Sequence, residues 1–145
     1  MYKHNKEEEL MSDTESPKTT YHSYHELRVW EKAIELSREV LNQVLALQKD
    51  ARQYFGQDLI DLSLTIPSLI ANGFASRSKK EYIDSLKQGL RNVSKIETSI
   101  LTVGEETPLN QSVSPLLVDL RKMLASLTSA LTKPAKEQAE TAVAE

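Results

Sequence analysis

The side chains best placed to do chemistry in this chain are cations: Arg77, Lys79, Lys80, Lys87, Arg91 and Lys95. Only two acids, Glu81 and Asp84, stand among them, so the segment carries a local charge of +4. Lys87, Arg91 and Lys95 recur at steps of four, which puts them on one ridge of a helix. Ammonium and guanidinium groups in such a row neutralise phosphates and release their counterions. The chemistry they suit is salt-dependent, sequence-independent contact with RNA or DNA. The ordinary reading of the same residues is a solvated helix face paired with acids on a neighbouring helix. A net charge of −3 and a sequence pI of about 5.7 weigh on that side.

Other chemistries find little support. The chain has no cysteine, which removes disulfides, thiolate metal sites and thiol nucleophiles. His22 and His25 lie three apart and His4 is distant, with no convincing carboxylate partner, so no metal site is expected. Asp58 and Asp61, or Glu31 and Glu35, have helical spacing but lack the Glu-x-x-His motif of di-iron bundles. Ser63, Ser68, Ser76 and Ser78 have no identifiable base, and no glycine-rich phosphate loop is present. The chain therefore reads as a non-enzyme without a cofactor. Trp30, Phe74 and Tyr82 fall on apolar lines and read as packing anchors, because base-stacking sites interleave aromatics with cations on an exposed face.

Four segments of helical periodicity must position these residues. From about Tyr24 to Asp50, two adjacent apolar lines run through Leu27, Trp30, Ile34, Leu41 and Val44 and through Val29, Ala33, Leu36, Val40 and Leu47. So broad an arc suits contact with two neighbours, or with one neighbour and another subunit. From about Ala51 to Ala75, Phe55, Leu59, Leu62, Ile66, Ile70 and Phe74 form one stripe, within which Pro67 predicts a kink or break near Thr65 and Ile66. Gly73 allows close approach or termination there, and Ser78 with Glu81 matches a capping box.

The third helix, Lys79 to Val103, turns Ile83, Leu86, Leu90, Val93, Ile96 and Ile100 inward and stops at Gly104. Residues 104–114 read as a loop, after which Ser114-Pro115 starts a fourth helix carrying Leu116, Leu120, Met123, Leu124, Leu127 and Leu131. The sum is an all-α chain, an up-and-down antiparallel four-helix bundle over residues 24–132. A disordered lead-in is expected over 1–23, and a disordered or fraying tail over 133–145. Both ends are acidic, while residues 25–132 balance to zero. With no apolar run of membrane-spanning length and no secretory segment at Met1, a cytoplasmic location is the default expectation.

Two blocks carry a family resemblance: Leu27-Arg28-Val29-Trp30-Glu31-Lys32-Ala33, and Ile66-Pro67-Ser68 with Ile70-Ala71, Gly73-Phe74 and Arg77-Ser78-Lys79-Lys80-Glu81-Tyr82. Over about residues 24–101 the chain resembles the bacterial four-helix-bundle proteins encoded within intervening sequences of 23S ribosomal RNA genes. It is also similar to the accessory proteins of diversity-generating retroelements. On this resemblance Trp30, Pro67, Gly73, Phe74, Ser78 and Tyr82 are family-motif positions. The resemblance further implies a homo-oligomer, a pentameric ring, whose retroelement relatives bind nucleic acid and a reverse transcriptase. The chain departs from the usual pattern at Leu69, Asn72, Gly89 and Lys95. A self-associating scaffold that contacts nucleic acid through the cationic ridge is the expectation; a protein-binding adaptor with no nucleic-acid affinity is the alternative.

Overall fold

The computed structural model describes residues 23–133, and the disorder expected at the two ends lies outside them. Among the described residues there are four long helices and no strand. A 3-10 turn, Tyr24–Glu26, leads into α1 (Arg28–Leu45). A short helical turn, Lys49–Ala51, and a π-helical stretch, Arg52–Gly56, lead into α2 (Gln57–Ala75). Then follow α3 (Lys79–Val103) and α4 (Pro108–Thr132). Each helix packs against the next in sequence and α4 closes back onto α1, which is the up-and-down bundle. The two neighbours of α1's broad apolar arc are thus α2 and α4 of the same chain.

The core follows the expected stripes in α1 to α3, but in α4 the buried line runs through Leu109, Val113, Leu117, Leu120 and Leu124, and the expected Leu116, Met123, Leu127 and Leu131 are only partly buried beside it. Val29, Ala33, Leu36, Val40 and Val44 from α1 meet Leu59, Ile66 and Ile70 from α2, Leu86, Val93, Ile96 and Ile100 from α3, and Leu120 and Leu124 from α4. Leu41 is a correction: it is 43% exposed, because it stands one helical step off the buried Val40–Val44 line. The first helix also ends earlier than its periodicity suggests, at Leu45 rather than near Asp50. No glycine or proline marks the stop. Behind it, Gly56 lies so close to α1 that a Cβ there would sit 2.9 Å from Val44 Cγ1.

The start of the fourth helix and the break expected at Pro67 are both corrected. The fourth helix starts at Pro108, capped by Thr107 Oγ1, which accepts from Asn110 N at 3.2 Å. The expected start at Ser114-Pro115 is the same signature further along the chain. The earlier one prevails because it also brings Leu109 and Val113 into the core. Pro115 then lies within α4 at an exposed position, where water can serve the carbonyl it leaves unpaired.

Pro67 neither breaks nor ends α2, which runs on for two more turns. A proline there leaves the Ser63 carbonyl, four residues back, without its amide donor. Ser37 of α1 can supply one: its buried hydroxyl lies 2.9 Å from Ser63 O and 3.0 Å from Ala33 O of its own helix, so its single proton is shared between the two carbonyls. On the other side of α2, the amide of buried Asn92 in α3 reaches Leu62 O at 3.4 Å. The proline-weakened turn is therefore held by polar side chains from both flanking helices. At its far end α2 approaches α3 closely. A Cβ on Gly73 would stand 2.8 Å from Ser85 Cβ and 3.1 Å from Tyr82 Cδ1.

Replacing Ser37 by alanine is expected to cost about 1–3 kcal/mol of unfolding free energy, the penalty for a buried carbonyl left unpaired. In a Pro67→Ala background, where the backbone donor returns, that cost is expected to shrink. Chemical denaturation of the four members of the cycle measures the coupling. The glycines give an opposed pair. Gly73→Ala should destabilise by overpacking at about 1–3 kcal/mol. At Gly89 the new methyl would meet Leu124 Cδ1 at 3.6 Å and Ile66 Cγ2 at 3.8 Å, so Gly89→Ala should stabilise by about 0.5–1 kcal/mol.

Candidate nucleic-acid interface

The α2–α3 turn is built by local bonds among short polar side chains. Ser76 Oγ donates to Gly73 O at 2.7 Å and accepts from Ser78 N at 3.3 Å, while Ser78 Oγ accepts from Glu81 N at 3.2 Å as the N-cap of α3. The capping serine expected at Ser78 is the one observed. Between the two serines, Arg77 takes a left-handed backbone with φ of 61°. Among the described residues it is the one non-glycine with positive φ, a conformation that carries a steric cost for a side chain with a Cβ. Arg77 is exposed to solvent on this reversal, followed closely by exposed Lys79 and Lys80.

Lys87, Arg91 and Lys95 continue from the turn along the outer side of α3, all three exposed. The pairing with acids that the ordinary reading requires is not seen: among the described residues none of the six cations makes an ion pair. Arg91 Nη1 donates instead to the neutral side chain of Gln88, at 3.1 Å. Glu97, the acid nearest the ridge in sequence, bonds Arg121 of α4 at 3.0 Å. Lys95 has a different setting from the rest. It lines a shallow groove of about 650 Å³ between α2 and α3, together with Asp58 and Asp61, and without a direct ion pair to either. Their field offsets that of Lys95, as the exposed acids Glu81 and Asp84 do that of the cations at the turn.

The aromatic positions mark the same end of the bundle. Phe74 and Tyr82 meet edge to face across the turn, with ring centroids 6.0 Å apart. Burial pushes the Tyr82 hydroxyl up to about 12, so it stays protonated and its ring serves as packing. Trp30 is half-buried against the core, with Tyr24 edge-on at 5.3 Å and His25 at 5.1 Å. The His25 ring stacks on Tyr24 at 4.2 Å and lies 2.7 Å from Ser23 Oγ through Nδ1. Sequence spacing did not reveal this cluster, because Tyr24 and His25 precede the periodic part of α1.

No group of three or more potential metal ligands comes together among the described residues, and none of their helices is long and apolar enough to cross a membrane. Residues 25–129 match the profile of the 23S rRNA-intervening sequence proteins. The chain belongs to that family. The match spans all four helices, including α4, which the motifs around Trp30 and Pro67 do not reach. No curated protein matches the chain.

The left-handed position gives a test that separates fold from surface. Arg77→Gly removes the Cβ strain and is expected to raise unfolding free energy by about 0.5–1 kcal/mol. It also removes one cation from the turn. Denaturation and polyanion binding measured on the same preparation should therefore move in opposite directions.

Proposed function

We propose that this member of the 23S rRNA-intervening sequence protein family is a non-enzymatic, cytoplasmic scaffold that self-associates and contacts the phosphates of nucleic acid. The observation that carries this is the row of six exposed cations, from Arg77 to Lys95, unpaired among the described residues. Arginine and lysine side chains that are neither buried nor matched by a neighbour keep their full field for a polyanion. Each contact is weak alone, and repetition in an oligomer multiplies it through effective concentration.

Self-association has its own support in the exposed apolar residues. Leu41 and Leu45 of α1 and Leu64 of α2 are 43%, 59% and 52% exposed. Leu41 stands one turn past Ser37, and Leu64 directly follows Ser63, so they flank the point where α1 crosses α2. A face of this kind is ordinarily covered by another surface. A pentameric ring, expected from the family resemblance, would cover it with a second copy and bring five cationic ridges together. The same ring could hold a nucleic-acid enzyme such as a reverse transcriptase on its template.

Light scattering with and without short duplex RNA, across a salt series, tests the proposal. A mass near five chains is expected, with affinity that falls as salt rises; Lys87→Glu with Arg91→Glu should flatten the logarithmic slope by about 0.9 for each phosphate no longer neutralised. Lys95→Glu should have a smaller effect because of Asp58 and Asp61. A protein that stays monomeric and indifferent to RNA at low salt would overturn the scaffold and leave the protein-binding adaptor.

A further inference from the structure

The cations of the α2–α3 turn make no ion pair among the described residues, not even with exposed Glu81 and Asp84 on the first turns of α3, yet the chain carries a segment of matching charge. Residues 7–17 hold Glu7, Glu8, Glu9, Asp13 and Glu15 and no lysine or arginine, a local charge of −5 against the +4 of Arg77 to Lys95. The bond between Ser37 and Ser63 sets the end of the bundle at which this segment joins. Nine residues before Ser37 is Arg28, the first residue of α1, and nine after Ser63 is Asn72, so in antiparallel helices these two share a level. The α2–α3 turn begins four residues beyond Asn72, at Ser76, and the 3-10 turn Tyr24–Glu26 lies ahead of Arg28 and packs on α2. Ser23, where residues 1–22 join the bundle, therefore stands at the end that carries Arg77, Lys79 and Lys80.

We infer that the acidic run from Glu7 to Glu15 is a tethered competitor for the cationic turn: without nucleic acid its carboxylates neutralise Arg77, Lys79 and Lys80 of the same chain, and a nucleic acid must displace it to bind. The inference rests on the phosphate-contact reading above and adds the regulation of that surface. Reach permits it. Glu15 is eight residues from Ser23 and Glu9 fourteen, which at about 3.3–3.6 Å per residue spans up to about 28 Å and about 50 Å. The axes of neighbouring helices lie only about 8–10 Å apart. A segment held on its own chain acts at an effective concentration of about millimolar, enough to occupy a site that each exposed carboxylate alone would hold weakly. The opposite terminal stretch is a poorer occupant, since in residues 133–145 Lys133 and Lys136 stand among Glu137, Glu140 and Glu145. The competition also selects what binds. Duplex nucleic acid carries one phosphate charge per about 1.7 Å, a denser array than five carboxylates spread over residues 7–15, whereas an isolated phosphate brings too little charge to displace them.

Carbodiimide coupling of the full-length protein, which joins carboxylates to amines already in contact, tests the docking without any nucleic acid. Peptide mapping is expected to find links from residues 7–15 to Lys79 or Lys80, lost at about 1 M salt, where screening acts within about 3 Å. Protein mixed from light and heavy isotope cultures separates links within one chain, which are expected, from links between copies, which would overturn the same-chain assignment. The second arm neutralises the run in the full-length protein, with Glu7→Gln, Glu8→Gln, Glu9→Gln, Asp13→Asn and Glu15→Gln together. Affinity for a short RNA duplex, read by anisotropy, is expected to rise about two- to tenfold at low salt, and the gain should shrink as salt rises. In a Lys79→Gln, Lys80→Gln background the same neutralisation should lose most of its effect. Absence of the links, or an RNA affinity that neutralising the run leaves unchanged, would overturn this inference alone. Links formed by a protein that binds no RNA, with or without the charge of the run, would overturn the phosphate-contact reading and with it the competition.

Discussion

The bundle depends on how α2 tolerates Pro67. A proline in the third turn of a helix leaves one carbonyl unpaired and crowds the turn before it, and in a buried helix the unpaired carbonyl is the larger cost. Here that carbonyl, on Ser63, faces α1 and meets the hydroxyl of Ser37. The bond can form only if α1 and α2 adopt one rotation and one axial position. It therefore acts as a register pin for the two helices, while Asn92 binds the adjacent carbonyl from α3. Apolar stripes alone would permit neighbouring helices to slide by a turn, since leucine against isoleucine is much the same one turn along. A buried polar pair does not allow that freedom.

Once α1 and α2 are in register, the turn beyond them follows. Gly73 lets α2 and α3 come within the distance at which Ser85 and Tyr82 fill the space of a missing methyl. Approach at that range leaves room for only a short reversal, which Ser76, Arg77 and Ser78 complete with one left-handed residue. A glycine would meet the backbone requirement with less strain. The arginine that occupies the position is held on the outermost point of the turn, with Lys79 and Lys80 beside it.

Charge placement separates the two sides of α3 in the same way. The leucines, valine and isoleucines that face inward fix which positions face out, and those positions carry Lys87, Arg91 and Lys95. Glu97 of α3 pairs with Arg121 of α4, and Glu39 of α1 bonds Ser112 and Gln43, whereas Asp58 and Asp61 of α2 stand beside Lys95. Acids therefore stand at both ends of the row, Glu81 and Asp84 by the turn and Asp58 and Asp61 by Lys95. An acidic protein can in this way present a basic surface, because net charge counts residues and a surface potential depends on where they stand.

Much of this was legible in the amino-acid sequence, because helical periodicity and end signals are local. The stripes through Leu59, Ile66 and Ile70 and through Leu86, Val93, Ile96 and Ile100, the cap at Ser78 and the stop at Gly104 each depend on a few neighbouring residues, and each is as expected. What depended on other helices was not legible. The end of α1 at Leu45 has no breaker to announce it, and the choice of Pro108 over Pro115 turned on whether Leu109 and Val113 could reach a core that the chain builds elsewhere. The continuity of α2 through Pro67 required a donor from Ser37, 26 residues earlier than the carbonyl it serves. The sequence by itself determined the helices and the identity of the exposed charges, since both follow from local spacing; the structure decided register, continuity and which apolar residues of α4 reach the core, since those are set by packing between segments.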